Sequence, residues 1–140
     1  MLMEIDRSQY IKREKVLIVD DNLSCSSIAA SALIAEGCFV DVVDNSRDAI
    51  DCLHKKTYDL LVLDWNMPGY NGGQVLKILE SAKLNNPFIL PFVLYTGVDP
   101  QKIDLPYTLN FKMIDFWCKN EKNKWIKRVN GVINIVRKSA

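Results

Sequence analysis

The sequence Val16-Leu17-Ile18-Val19-Asp20-Asp21 runs from four apolar residues directly into two carboxylates, and this pattern specifies the type of fold. A second stretch, Leu60-Leu61-Val62-Leu63-Asp64, repeats this pattern. Short, continuous apolar runs are typical of strands that are buried on both faces, as in a parallel sheet. An acid just past such a strand lies at the carboxyl edge of the sheet, where open α/β sheets bind their ligands. We therefore expect three carboxylates to converge at one edge.

Two later strands also end in polar residues. The run Phe92-Val93-Leu94-Tyr95 ends at Thr96-Gly97, and a run over 113–117 leads to Lys119. The same edge would then carry a hydroxyl group and an amine beside the three acids. Carboxylates that converge repel one another unless a divalent cation lies among them. Mg²⁺ suits such a site, because it takes a few carboxylates and keeps its remaining positions for water and phosphate oxygens.

Composition excludes several classes of protein. A chain of 140 residues with 49% hydrophobic residues is long enough to bury a core, and a net charge of +1 indicates neither nucleic acid nor membrane binding. No apolar stretch is long enough to span a bilayer, and the first residues lack a signal-peptide layout. The four cysteines form no Cys-x-x-Cys pair, which argues against a zinc site or a disulfide framework.

The apolar patterns alternate between strand and helix along the chain. Strands are predicted over 15–20, 39–43, 60–64, 89–95 and 111–117, and helices over 23–36, 46–56, 74–84 and 122–137. The last helix would bury one face: Trp125, Ile126, Val129, Val132, Ile133 and Val136. This alternation implies an α/β fold in which helices cover both faces of a five-stranded parallel sheet. We expect one domain over residues 15–140, preceded by a charged extension over 1–14.

The segment between the fourth and fifth predicted strands is unusual. Pro100 can open a helix at its first position, but Pro106 would break that helix within two turns. A fourth helix in this segment should therefore be short or distorted.

Taken in order, the strand-end residues resemble those of the receiver domains of two-component response regulators. The resemblance rests on Asp20-Asp21, on Asp64-Trp65-Asn66-Met67-Pro68-Gly69, on Thr96-Gly97 and on Lys119. It runs from about residue 15 to the end of the chain. It implies a flavodoxin-like, doubly wound sheet with strand order 2-1-3-4-5 and a site at the switch point beside the first strand.

The resemblance also implies roles for individual residues. Asp64 would be the nucleophile that accepts a phosphoryl group, with Thr96 and Lys119 contacting the phosphoryl oxygens. Thr96 and Phe116 would form the switch that responds to phosphorylation. The implied Mg²⁺ ligands are Asp20, Asp21, Asp64 and the carbonyl oxygen of Asn66. The family carries a proline joined by a cis peptide after its lysine, whereas Asn120 follows Lys119 here. Either a trans bond with a different loop or a strained cis bond would fit the sequence.

Two functional classes remain open. The first is a phosphoacceptor switch, cytoplasmic, that takes its phosphoryl group from a histidine kinase or phosphotransfer protein and alters a surface that binds a downstream protein target. It would catalyse only its own aspartyl phosphorylation and dephosphorylation, and would contact neither nucleic acid nor membrane. The alternative is a receiver-like binding scaffold that does not cycle phosphate. A haloacid dehalogenase-type phosphatase is disfavoured, because it needs a second Asp where Asn66 stands. The chain is expected to be a stand-alone receiver or a part of a larger hybrid kinase or regulator.

Overall fold

The computed structural model describes residues 13–82, 84 and 88–139. The strands are β1 (Lys15–Val19), β2 (Phe39–Val43), β3 (Leu60–Leu63), β4 (Leu90–Thr96) and β5 (Phe111–Cys118). The α-helices are α1 (Leu23–Ala35), α2 (Ser46–Lys55), α3 (Gly72–Ser81), α4 (Lys122–Trp125) and α5 (Val129–Ser139). Short 3₁₀ segments cover Pro100–Lys102, Lys119–Glu121 and Ile126–Arg128. The predicted extension over 1–14 lies almost entirely outside the described residues.

The five strands form one parallel sheet in the order β2-β1-β3-β4-β5, which confirms the predicted topology. Side chains of β1 alternate between two cores, because successive residues of a strand point to opposite faces. Val16 and Ile18 join the core that packs against α1, α4 and α5, whereas Leu17 and Val19 join the core against α2 and α3. Burial on both faces explains why the strand sequence is continuously apolar.

Asparagine residues start the first three helices. The side chains of Asn22, Asn45 and Asn71 each accept a hydrogen bond from a backbone N–H in the first turn of α1, α2 and α3. At α3 the pair Asn71 and Gln74 forms a full capping box, so the helix begins at Gly72 instead of the predicted 74. This helix ends at Ser81, and the Asn-Asn-Pro signal expected to end it lies outside the described residues.

The segment between β4 and β5 contains no α-helix, which confirms that the fourth helix is reduced. A 3₁₀ turn over Pro100–Lys102 is all that remains. The carboxylate of Glu80 on α3 accepts hydrogen bonds from the backbone N–H groups of Leu109 and Asn110 at 2.7 and 3.1 Å. The end of this irregular segment is therefore fixed by a side chain of α3 instead of by helical hydrogen bonds.

The last predicted helix is interrupted. The chain is α-helical over Lys122–Trp125, then 3₁₀ over Ile126–Arg128, and α-helical again from Val129. Trp125, Val129 and most of the predicted apolar face are buried, but Ile126 is 37% exposed, so its assignment to that face was wrong. A 3₁₀ segment turns about 120° per residue, which displaces a side chain from an apolar stripe that was read at α-helical spacing.

An ion pair links the beginning and the end of the described fold. Arg137 Nε on α5 lies 2.9 Å from Glu14 Oε1, just before β1, and its guanidinium also donates to the carbonyl oxygen of Glu36 at 2.9 Å. Glu14 is 7% exposed, so this carboxylate is shielded from water.

All four cysteines are free thiols. Within the described residues, no helix combines the length and the apolar character that crossing a bilayer requires.

Candidate functional site at the carboxyl edge of the sheet

The three predicted acids converge. Val19 and Leu63 are paired in register on adjacent strands, so the residues that follow them leave the sheet side by side. Asp20 and Asp64 are 1% and 4% exposed, whereas Asp21 is exposed to solvent. One carboxylate oxygen from each of the three lies within 4.8 Å of the others. The edge therefore concentrates three negative charges, two of them shielded from water.

Lys119 bridges the two buried acids. Its Nζ lies 2.7 Å from Asp20 Oδ2 and donates a hydrogen bond to Asp64 Oδ2 at 3.2 Å. The contact with Asp20 is close, but its angles are poor for a hydrogen bond, so Asp20 Oδ2 has no aligned donor. The other oxygen of Asp20 accepts from the backbone N–H of Asn22 at 2.9 Å. The ammonium therefore neutralises part of the negative charge, but it does not donate an aligned hydrogen bond to every carboxylate oxygen of the two acids.

These neighbours shift two pKa values. The pKa of Asp64 is raised to about 6, chiefly by burial and also by the nearby Asp20, against the opposing effect of the Lys119 ammonium. Burial by itself would lower the pKa of Lys119, but its close contacts with the carboxylates of Asp20 and Asp64 outweigh that effect, and the pKa is raised. The lysine therefore stays charged, while Asp64 is ionised at neutral pH and protonated in mild acid.

Thr96 and Phe116 lie on neighbouring strands at the same end of the sheet. Thr96 is the last residue of β4 and is 1% exposed; its hydroxyl accepts from the N–H of Val98 at 3.3 Å, and a hydrogen bond from it lowers the pKa of Asp64. The ring of Phe116 is half-buried and lines a pocket of about 220 Å³ with Pro100. Phe116 joins neither core, and its role as a switch stays a prediction.

The loop after Asp64 is held by close contact with the start of α3. The N–H of Gly72 donates to the carbonyl oxygen of Trp65 at 2.8 Å. A Cβ on Gly72 would lie 2.6 Å from the Asp64 carbonyl oxygen, and one on Gly73 would lie 2.6 Å from the Trp65 ring. The two glycines therefore permit close packing of the loop against the start of α3. Asn66 is exposed in this loop, and its carbonyl as a metal ligand stays a prediction.

The peptide between Lys119 and Asn120 is trans, since the described residues contain no cis peptide. A 3₁₀ turn over Lys119–Glu121 follows directly. The loop therefore differs from the one that the family builds with its proline, and of the two alternatives left open by the sequence, the strained cis bond is the wrong one.

Tyr95 is a residue of the site that the sequence patterns did not indicate. Its ring centroid lies 5.2 Å from Lys119 Nζ, a cation–π distance, and its hydroxyl donates to the carbonyl oxygen of Cys25 at 3.0 Å. The ring also packs edge-on against Trp117 and Trp125. The ring therefore contacts the lysine on the face of the sheet that α1 covers. An aromatic residue next to Thr96 at a strand end was the available signal.

The acid cluster fits a magnesium ion. Its donors are carboxylate oxygens, which are the ligands that Mg²⁺ prefers, and Asp20 Oδ2 is buried without an aligned donor. A bound cation would stabilise this buried oxygen strongly, because the oxygen has already lost its contact with water.

Comparisons with known proteins agree with this geometry. Residues 16–130 match the family model for the response regulator receiver domain. A probable histidine kinase 1 from Oryza sativa subsp. indica is 35% identical over 69 residues, which cover 49% of this chain and 7% of the kinase. The chain thus spans a small part of this relative.

Solved structures share the fold. A CheY-like response regulator receiver domain from Methylobacillus flagellatus superposes with a TM-score of 0.71 at 21% identity, covering 89% of this chain and 99% of that one. The receiver domain of a sensor histidine kinase from Pseudomonas aeruginosa superposes with a TM-score of 0.64 at 20% identity, covering 86% and 99%. That structure has a magnesium ion coordinated in its active-site cleft.

Proposed function

Because this chain belongs to the response regulator receiver domain family of two-component systems, we propose that it is a phosphoacceptor switch in which Asp64 takes the phosphoryl group. The observation that carries the proposal is the convergence of Asp20, Asp21 and Asp64 around the ammonium of Lys119 at the carboxyl edge of the sheet. We place the receiver domain at residues 15–140 and a separate extension at 1–14.

Each side chain of the site would have its own role in phosphoryl transfer. An oxygen of Asp64 forms a bond to phosphorus while the bond from phosphorus to the donor breaks, and the donor keeps the electron pair. Such transfers depend on positioning and on neutralising charge on the phosphoryl oxygens. Lys119, already 3.2 Å from Asp64, supplies a positive charge, and the Thr96 hydroxyl supplies a hydrogen-bond donor.

Three acids would repel a phosphoryl group if no cation balanced them. Asp20, Asp21 and Asp64, with the carbonyl oxygen of Asn66, would hold the Mg²⁺. When bound, this ion neutralises the carboxylates and offers a coordination position to a phosphoryl oxygen. The buried Asp20 and Asp64 orient that site, while the exposed Asp21 keeps it open to solvent.

The proposed phosphodonor is a histidine kinase or a phosphotransfer protein, and the proposed readout is a changed surface for a downstream protein. We propose that this exchange takes place in the cytoplasm. The switch would involve Thr96 and Phe116, which sit on the paired strands β4 and β5.

A receiver-like binding scaffold that does not cycle phosphate is the second candidate. Two observations favour it: the fourth helix is reduced to the 3₁₀ turn Pro100–Lys102, and a trans peptide with a 3₁₀ turn follows Lys119. In the family, the fourth helix helps to form the surface that reports phosphorylation. A scaffold would keep the fold but would not form an aspartyl phosphate.

The two candidates are separated by incubating the protein with acetyl phosphate and Mg²⁺ and measuring the intact mass. The switch predicts one added phosphoryl group, which is lost in Asp64→Asn and kept in the control Asp51→Asn, an exposed aspartate on α2. An unlabelled wild-type protein would favour the scaffold. Labelling of Asp64→Asn would move the acceptor to another residue.

A further inference from the structure

We propose that Asn120 is a further contact residue of the phosphoryl group, whose side-chain amide donates a hydrogen bond to a phosphoryl oxygen and slows loss of the group from Asp64. This inference rests on the proposed function and deepens it by assigning a residue that sets the lifetime of the phosphorylated state.

The position of Asn120 follows from strand pairing and from the turn after β5. Thr96 pairs with Cys118, so Gly97 and Lys119 leave the sheet together, and the 3₁₀ turn then brings Asn120 over Gly97. A Cβ on Gly97 would lie 3.9 Å from Nδ2 and 4.0 Å from Oδ1 of Asn120. Apart from the chain neighbours of Gly97, no other atom of the described residues comes within 4 Å of that point. The carboxamide therefore faces the open side of this glycine.

On the proposed function, the phosphoryl group would lie close to the same place. It would be bonded to Asp64 and contacted by Thr96 and Lys119, and Gly97 and Asn120 are the residues that directly follow these two contacts. Asn120 is exposed, and no hydrogen bond among the described residues uses its carboxamide. Its amide is thus available to a ligand without breaking an existing interaction.

A hydrogen bond from the Asn120 amide would slow hydrolysis of the aspartyl phosphate. A water oxygen bonds to phosphorus, the bond from phosphorus to the Asp64 oxygen breaks, Asp64 keeps the electron pair, and the water proton passes to solvent. An amide that holds one phosphoryl oxygen stabilises the state before this step, and its bulk covers the approach over Gly97. The family places a proline at this position, which has neither an amide N–H nor a side-chain donor.

Two substitutions separate hydrogen-bond donation by the amide from simple steric shielding of the phosphoryl group. Asn120→Ala removes both, and Asn120→Asp keeps the size but replaces the donor with a negative charge. If the amide donates, beryllofluoride, a mimic of the phosphoryl group, should bind Asn120→Ala about tenfold more weakly, the size of a hydrogen bond to a charged group. Asn120→Asp should bind it more weakly still, because its charge repels the mimic.

The experiment titrates beryllofluoride in saturating Mg²⁺ by tryptophan fluorescence, and follows decay of the phosphoprotein by intact mass after the donor is removed. Asn123→Ala is the matched control, since Asn123 is an exposed asparagine on α4 nearby in the chain. We expect Asn120→Ala to lose its phosphoryl group about three- to tenfold faster than wild type, with Mg²⁺ affinity and unfolding unchanged. Asn123→Ala should behave as wild type.

The outcomes distinguish the two proposals. A wild-type protein that is phosphorylated normally, with Asn120→Ala equal to it in decay and in beryllofluoride affinity, would overturn the role of Asn120 alone. Wild-type affinity in Asn120→Asp would overturn donation by the amide. A wild-type protein that takes neither the phosphoryl group nor beryllofluoride would overturn the proposed function, and this inference with it.

Discussion

Replacing Asp64, the proposed phosphoacceptor, with asparagine should stabilise the metal-free protein at neutral pH. The carboxylate is 4% exposed and lies beside Asp20, and burial raises its pKa from 3.8 to about 6. Folding therefore has to keep a shielded negative charge that water solvates better in the unfolded chain. Asparagine has nearly the same shape without the charge.

The pKa shift gives the size and the sign of the effect. A carboxyl group whose pKa is raised in the folded state favours folding below its unfolded value of 3.8, and this contribution is lost as the pH rises through about 6. A shift of two units corresponds to about 3 kcal/mol at pH 7.5. Because Lys119 loses one of its two partners in the variant, we expect a gain of about 1–3 kcal/mol in the unfolding free energy.

Urea unfolding in EDTA at pH 7.5 and pH 4.5 measures this gain. The advantage of Asp64→Asn should shrink by about two thirds at the lower pH, where the folded wild type is already protonated. Asp51→Asn, an exposed change on α2, should give no gain at either pH. A variant no more stable than wild type at pH 7.5, or an advantage that does not depend on pH, would refute the reasoning.

Magnesium should reverse part of the difference. A ligand that binds only the folded state at ten times its Kd adds about 1.4 kcal/mol to the unfolding free energy. Wild type should gain this from Mg²⁺, and Asp64→Asn should gain much less, since it has lost a charged ligand. Equal gains in both proteins would place the ion elsewhere.

Three further predictions concern the lysine, the glycines and the cation. Lys119→Met leaves buried acids without their counter-charge, so the unfolding free energy at pH 7.5 should fall by on the order of 3 kcal/mol in urea titrations, and a fall below 0.5 kcal/mol would contradict the ion pairs described. Gly73→Ala would place a Cβ 2.6 Å from the Trp65 ring and should cost about 1–3 kcal/mol and change the tryptophan emission. Gly131→Ala on α5, where a Cβ meets no atom within 4 Å, should instead stabilise by about 0.5–1 kcal/mol, and the opposite order would refute the packing argument. Mg²⁺ affinity should fall as the pH drops below about 6, approaching tenfold per pH unit, because protons compete for Asp64; an affinity that is constant from pH 7.5 to 5, measured by calorimetry, would contradict this.

The sheet and the acid cluster could be predicted from the sequence because both follow from local patterns. Continuous apolar runs identify strands buried on both faces, and parallel strands bring their carboxyl ends to one edge. Asp20 and Asp64 then had to meet, whatever the details of the loops. Pro100 and Pro106 likewise excluded a full helix between β4 and β5, because proline restricts the backbone locally.

Other features depend on contacts between residues that are distant in sequence or on the exact turn geometry. Gly72 and Gly73 leave room for the backbone of Asp64 and the ring of Trp65, two contacts that no local sequence pattern indicates. Ile126 fitted an apolar helical stripe, and only the 3₁₀ interruption displaces it. The place of Asn120 over Gly97 depends on the trans peptide and the turn that follows it, which the sequence left open.

The ion pair between Glu14 and Arg137 has a consequence for engineering. Because the tips of the two side chains are 2.9 Å apart, the backbone enters and leaves the folded unit at points separated by no more than the combined length of these side chains. A few linking residues should be enough to join these positions, and new termini could be cut in the irregular stretch around 103–107, which contributes no strand. We expect such a circular permutant to keep its far-ultraviolet circular dichroism. Because its two ends are close together, such a unit can also be inserted into a surface loop of a host protein without separating the two sides of that loop.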